Sequence, residues 1–228
     1  MAITVNQVLG RVSQVLQDTD NVRWPIAASG NVPAELVNWL NDGCREVVLY
    51  KPDANSIDEN MALVAGTKQM LPADAIRLLD VPRNMGTGGS TVGRAIKKLP
   101  RKVLDDQNPN WHTMTPSASI IHYMVDENSP KDLAANKLTF YVYPPASVPT
   151  YVEIIYSKIP ATAVAGDAAL PVNEIYTNAV INYILFRALS KDAEYTANVQ
   201  QAAAYYQLFA NEMGVSVSND KAADASRK

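Results

Sequence analysis

The chain has 228 residues, enough to bury a sizeable core without metal or disulfide support, in one large domain or two small ones. It carries 20 Lys and Arg against 23 Asp and Glu, a net charge of -3, which weighs against a protein that grips nucleic acid by neutralising phosphates. Two histidines and one cysteine leave no zinc ligand set and no intrachain disulfide, and neither a signal segment at Met1 to Val5 nor an apolar run of about 20 residues is present to engage a membrane.

In chain order, Thr4 followed by Gln7 fits a capping box, with Ile3 and Val8 as the hydrophobic staple around it. Val5, Val8, Leu9, Val12, Val15 and Leu16 recur at helical spacing and predict a first helix with one buried face. Residues 18–31 read as a loop punctuated by Trp24-Pro25 and Ser29-Gly30-Asn31. A second helix is predicted from Pro33 until just before Pro52. Its stripe is Leu36, Trp39, Leu40, Gly43, Cys44, Val47 and Val48, which makes Cys44 a buried, inert thiol. The two helices are expected to pair as an antiparallel hairpin.

The middle of the chain is β-rich and cut by Pro, Gly and Asn. Strands are predicted at 61–65, 68–71, 77–81, 119–125, 137–143 and 151–156, with Gly66-Thr67 turning the first two into a hairpin. Leu138, Phe140 and Val142 alternate with Thr139, Tyr141 and Tyr143, the period of a half-buried strand, and Val152, Ile154 and Tyr156 alternate likewise. Residues 144–149, with Pro144, Pro145 and Pro149, are expected to form a rigid connection outside any strand.

Helical spacing returns near Asn173, where Ile175, Ala179, Val180, Tyr183, Ile184, Phe186 and Leu189 form a broad apolar band. A hinge near 190–192 leads into a last helix carrying Val199, Ala202, Ala203, Tyr206, Phe209 and Met213, stopped by Gly214. Residues 216–228 are polar and lack aromatics, too poor in apolar surface to order alone. The predicted fold class is α+β. A four-helix unit is built from helix hairpins at 1–55 and 161–214, with a small β-rich domain inserted at 56–160 and an extended C-terminal arm at 215–228.

Candidate chemistry is sparse. His112 lies in the turn-rich stretch Asn108-Pro109-Asn110-Trp111-His112, and His122 lies in a strand beside Ile121 and Tyr123, so neither has a sequence partner for general-base or metal work. Gly86-Thr87-Gly88-Gly89-Ser90-Thr91 lacks the Gly-Lys-Ser/Thr ending of a phosphate loop and predicts a mobile tip between strands. The acidic pairs Asp18 with Asp20, Asp58 with Glu59, Asp105 with Asp106 and Asp126 with Glu127 fall on predicted loops, where acidic turn residues are ordinary. Arg94, Lys97, Lys98, Arg101 and Lys102 form the densest cationic stretch and predict a solvated loop or subunit contact rather than a phosphate patch. No catalytic, cofactor or metal residue is therefore assigned. Charged residues are only 19% of the chain and Tyr numbers 11, a balance that suits surfaces covered by neighbouring subunits.

The helix Pro33-Ala34-Glu35-Leu36-Val37-Asn38-Trp39-Leu40-Asn41-Asp42-Gly43-Cys44-Arg45-Glu46 resembles one in the head-to-tail adaptors of tailed bacteriophages. Gly66 to Pro72, Asn84 to Arg94, Asp106 to His112, Phe140 to Pro145 and Ala188 to Tyr195 follow in the same order as in that family. The resemblance implies a non-enzymatic virion protein, assembled in the bacterial host cytoplasm, that forms a ring, typically twelvefold. Its partners would be itself, the portal protein and the tail nozzle protein, with DNA passing through the lumen without specific binding and no membrane or cofactor involved. The C-terminal arm would reach along the portal, which makes Val215, Val217, Arg227 and Lys228 the candidate partner-binding residues. Other tail components, such as a tail-tube or stopper protein, and a virion-associated hydrolase are the alternatives.

Overall fold

A computed structural model describes residues 2–28, 34–125, 131–132, 134–192 and 196–214. The fold is α+β, with five α-helices and two sheets among the described residues. The chain divides into two compact units, Met1–Asn55 with Pro160–Lys228, and Ser56–Ile159.

In the first unit, helix α1 (Val5–Leu16) opens on the predicted capping box. The Gln7 amide donates to Thr4 Oγ1 at 3.3 Å, and the Thr4 amide donates to Gln7 Oε1 at 3.0 Å. The two remaining free amides of the first turn are met by a returning segment: Val5 N donates to the Ala168 carbonyl at 2.9 Å and Asn6 N to that of Gly166 at 3.1 Å. Val5, Val8, Leu9 and Val12 are fully buried, but Val15 is half exposed.

Helix α2 (Glu35–Tyr50) buries the expected stripe, with Trp39 only partly covered; Pro33, its predicted first residue, lies outside the described residues. The α1–α2 hairpin does not form as expected. Both helices pack instead on α4 (Thr177–Lys191), which also carries α5 (Thr196–Glu212). Ala179, Val180, Tyr183, Ile184, Leu185 and Ala188 bury more than one side of α4, and a helix apolar over so wide an arc takes the central position. Ile175 stands apart from this band, on a 3-10 turn (Glu174–Tyr176) that leaves it 77% exposed. Gly43 of α2 permits close approach, since a Cβ there would lie 3.0 Å from the Tyr183 ring. Asn41, which lies off the predicted stripe, is buried and pairs in both directions with Ala163, its Nδ2 donating at 3.0 Å and its Oδ1 accepting at 2.7 Å.

The second unit holds two sheets. The first has the order β1 (Ser56–Ala62), β8 (Tyr151–Lys158), β3 (Ala75–Asp80); the second has β2 (Gly66–Met70), β7 (Lys137–Ala146), β5 (His122–Met124), β4 (Lys97–Lys98). A short strand β6 (Lys131–Asp132) also pairs with β7. The expected hairpin across Gly66-Thr67 is absent: β1 pairs with β8 and β2 with β7. The turn instead carries the chain from one sheet to the other and is held by the buried Gln69. Its Oε1 accepts from Val64 N at 2.8 Å, and its Nε2 donates to the carbonyls of Val64 and Gly66 at 2.8 and 3.0 Å.

Leu138, Phe140 and Val142 of β7 meet Val152, Ile154 and Tyr156 of β8 in the main core of this unit, as their alternation predicts. The other face of β7 is covered as well. Tyr141 and Tyr143 pack with Leu99, Leu104, Trp111 and Met124 under α3 (Arg101–Gln107), a helix whose single buried residue gave no periodic signal. Strand β7 also runs through Pro144 and Pro145, contrary to expectation. Pro145 is asked only for its carbonyl, which accepts from Ser117 N at 2.8 Å, so its missing amide costs nothing there. The Gly86 to Thr91 loop is tied down rather than left as a mobile tip. Gly89 has φ +73 and lies against the Tyr151 ring, and its carbonyl accepts from Asn60 Nδ2 at 2.9 Å.

Asn84 shows how much one buried amide holds in place. Its Nδ2 donates to the carbonyls of Arg94 and Ile120 at 2.9 and 2.8 Å, and its Oδ1 accepts from Ile120 N at 2.8 Å. Asn84→Ala is expected to cost about 3 kcal/mol, since each buried group left unpaired costs about 1–3, whereas Thr4→Ala should cost about 1 kcal/mol. Denaturant midpoints of the two variants test the ranking, and an Asn84→Ala midpoint at or above that of Thr4→Ala contradicts it.

Candidate interaction surfaces

Both histidines and two of the carboxylates singled out in the sequence have structural partners in the fold. Nδ1 of His112 lies 2.8 Å from Thr67 Oγ1, and its ring stacks on Trp111 with centroids 3.6 Å apart. His122 sits in β5, with Nδ1 at 3.3 Å from the Lys97 carbonyl and its ring stacked on Tyr143. The Asp18 carboxylate accepts from the amides of Val22, Arg23 and Trp24, and Asp105 accepts from Trp111 Nε1 at 2.8 Å. Asp58 and Glu59 lie on strand β1 rather than on a loop, while Asp126 and Glu127 lie outside the described residues. Tyr123 donates to Asp80 at 2.8 Å, and burial raises its pKa well above the usual phenol value. Among the described residues no group of three His, Cys, Asp or Glu side chains is placed to hold a metal ion, and no helix is long and apolar enough to cross a membrane.

What the first unit presents is an incompletely covered helix. The face of α5 that carries Ala202, Phe209 and Ala210 is buried, as is Met213 just after the helix. Val199 and Tyr206, predicted as members of the same core stripe, are 48% and 38% exposed. With Ala203 of α5 and Phe186 and Ser190 of α4 they border an apolar depression of about 390 Å³. Beneath it runs a chain of rings: Tyr206 to Phe186 at 5.1 Å, Phe186 to Tyr183 at 6.0 Å, and Tyr183 to Phe209 at 5.4 Å. Edge-on and tilted contacts of this kind are the favoured arrangements of aromatic pairs.

The opposite flank of α5 is open too. Tyr205 and the half-exposed Leu208 face a cleft of about 690 Å³ shared with Val15, Leu16, Trp24 and Leu189. An ion pair between Arg23 and Asp192 lies in its wall, and Arg23 and Lys191 both approach the Trp24 ring at 5.5 Å. Leu208 was missed in the sequence because it falls on the side of α5 away from the apolar stripe. An isolated apolar residue on a polar face was its only signal.

The second unit presents a different surface. Lys98, Arg101 and Lys102 line a cleft of about 690 Å³ with Leu99, Pro100, Val125 and Asp105. The predicted partner-binding residues Val215, Val217, Arg227 and Lys228 lie outside the described residues, as do Ser29 to Asn31 and the stretch 193–195.

The model of the SU10 adaptor protein family matches residues 3–227, so the chain belongs to this family of phage head-to-tail adaptors, structural proteins of the virion. A comparison with curated proteins finds no match.

Cys44 is fully buried in α2, and that burial pushes its thiol up to about 12. The thiolate is the reactive form. The native protein at pH 8 is therefore expected to react with a thiol reagent at least about a hundredfold more slowly than the unfolded chain. Comparable rates in buffer and in denaturant would place Cys44 at the surface.

Proposed function

We propose that the chain acts as one copy of a ring, twelvefold by resemblance, that joins the portal to the tail nozzle and lets DNA pass through its lumen without specific binding. The observation that carries this reading is the cover missing from α5. Its two open flanks differ in shape and chemistry, one an apolar depression and the other a cleft walled by an ion pair. A cyclic ring uses head-to-tail contacts, in which each subunit offers two different faces, and a helix open on both sides supplies two. Family membership supports the virion role, and the structural partners of His112 and His122 fit a non-catalytic protein.

The helical segments 1–55 and 161–214 form the body of the subunit in this reading, with the β-domain 56–160 inserted between them. Residues 215–228 form an arm that orders on the portal, where main-chain hydrogen bonds along Val215 and Val217 and ion pairs at Arg227 and Lys228 supply the affinity. Ordering costs about 1–2 kcal/mol per residue, so the arm settles only where a partner repays it. Early ring closure would compete with ordered assembly, and the free protein is accordingly monomeric until a portal templates it.

Val199 and Tyr206 are already about half buried, so covering the rest at a subunit contact is worth about 1 kcal/mol each. Ala203→Glu with Val199→Asp should abolish portal-templated rings in negative-stain images while leaving the monomer melting temperature within a few degrees; normal rings from this variant would refute the α5 contact. Deleting residues 215–228 should weaken portal binding with monomer melting unchanged, and full binding by the truncated chain rules the arm out. Stable closed rings in light scattering at low micromolar concentration without portal would contradict the templating.

A further inference from the structure

The two units differ in charge. The helical unit carries 9 basic against 13 acidic residues, and the β unit 11 against 10. Within the β unit the positive charge is concentrated in Arg94, Lys97, Lys98, Arg101 and Lys102. The fold makes this stretch rigid. Strand β4 is fixed to its neighbour by Lys97 N donating to the Ile121 carbonyl and Leu99 N to that of Tyr123, both at 3.0 Å, and the chain then turns at Pro100 into α3. The Arg101 guanidinium lies over the Tyr141 ring at 5.6 Å.

Two features of the resulting cleft define what fits it. Lys98 and Lys102 border it without an ion-pair partner among the described residues, and Asp105, the acidic residue in its lining, is already engaged by Trp111 and lies 3.6 Å from Arg101. Leu99, Pro100 and Val125 add apolar surface between the cations. Low-dielectric walls focus a positive field into such a cleft. A phosphodiester strand would use the cations but gain little from the apolar residues. A polypeptide that carries carboxylates beside apolar side chains uses both.

We propose that the cleft formed by Lys98, Arg101 and Lys102 with Leu99, Pro100 and Val125 binds an acidic, apolar-bearing peptide segment of a partner protein. This assignment does not rest on the ring or on the α5 contact.

The test uses the full chain and three fluorescent probes in anisotropy titrations: a peptide alternating Asp with Leu and Phe, a polyglutamate of equal charge, and a DNA duplex. The alternating peptide should bind at least about tenfold tighter than either competitor, and more weakly as salt rises. Lys98→Glu with Lys102→Glu should weaken it at least about tenfold, and Lys98→Ala with Lys102→Ala should do so less strongly; both melting temperatures should stay unchanged. Equal binding of polyglutamate, tighter binding of DNA, no binding of the peptide, or indifference to both double variants would each overturn the proposal.

Discussion

The pairing of β1 with β8 is the constraint on which the architecture depends. The chain enters the β unit at Ser56 and leaves it after Ile159, and Ser56 is the register partner of Ser157. Entry and exit are therefore neighbours in one sheet. An insertion closed in this way needs only two adjacent chain crossings, so the segments before and after it can belong to one unit although about a hundred residues separate them in sequence. Pro160 to Asn173 then ties the later helices to the earlier ones through backbone and amide groups. Ala163 pairs with Asn41, Ala168 accepts from Val5, and Asn173 N donates to the Ala54 carbonyl at 2.9 Å.

Within each unit one element gathers the rest. In the helical unit that element is α4, which is buried against α1, α2 and α5. Because three neighbours share a single helix, the last of them, α5, is covered on one side only. The exposure of Val199, Tyr206 and Leu208 is thus a consequence of how the core is built rather than of scattered surface apolar residues. In the β unit, β7 buries one face in the main core and the other under α3. Fixing α3 over Trp111 also fixes Arg101 and Lys102 beside Lys98, so the charge of the cleft is a by-product of packing on β7.

In this structural protein of the virion, several polar side chains are engaged in holding the fold. The Tyr123 hydroxyl serves Asp80, the Asp105 carboxylate serves Trp111, and Asn84 and Gln69 each satisfy three backbone groups. Such side chains hold irregular backbone where neither helix nor sheet can, at the crossings between sheets and between segments.

The sequence by itself determined what depends on neighbours a few residues away. The capping box at Thr4 and Gln7, the stripe of α2, the alternation in β7 and β8, and the stop at Gly214 were legible because backbone geometry and side-chain periodicity are local. The order of the family's short segments was legible in the same way, and it named the class of protein. Tertiary structure alone decided which elements meet. Gly66-Thr67 looked like a hairpin because turn chemistry specifies a change of direction but not the strand that receives the next segment. The α1–α2 hairpin failed for a similar reason: amphipathicity says that a face is buried, not against what. Val199 and Tyr206 carry the same periodic signal as Ala202 and Phe209, yet only the second pair is covered, since periodicity marks a face but not how wide an arc of it the neighbouring helix covers. The basic cleft was visible as a charged run and hidden as a site, because its apolar surface includes Val125, which only the pairing of β4 with β5 brings to it.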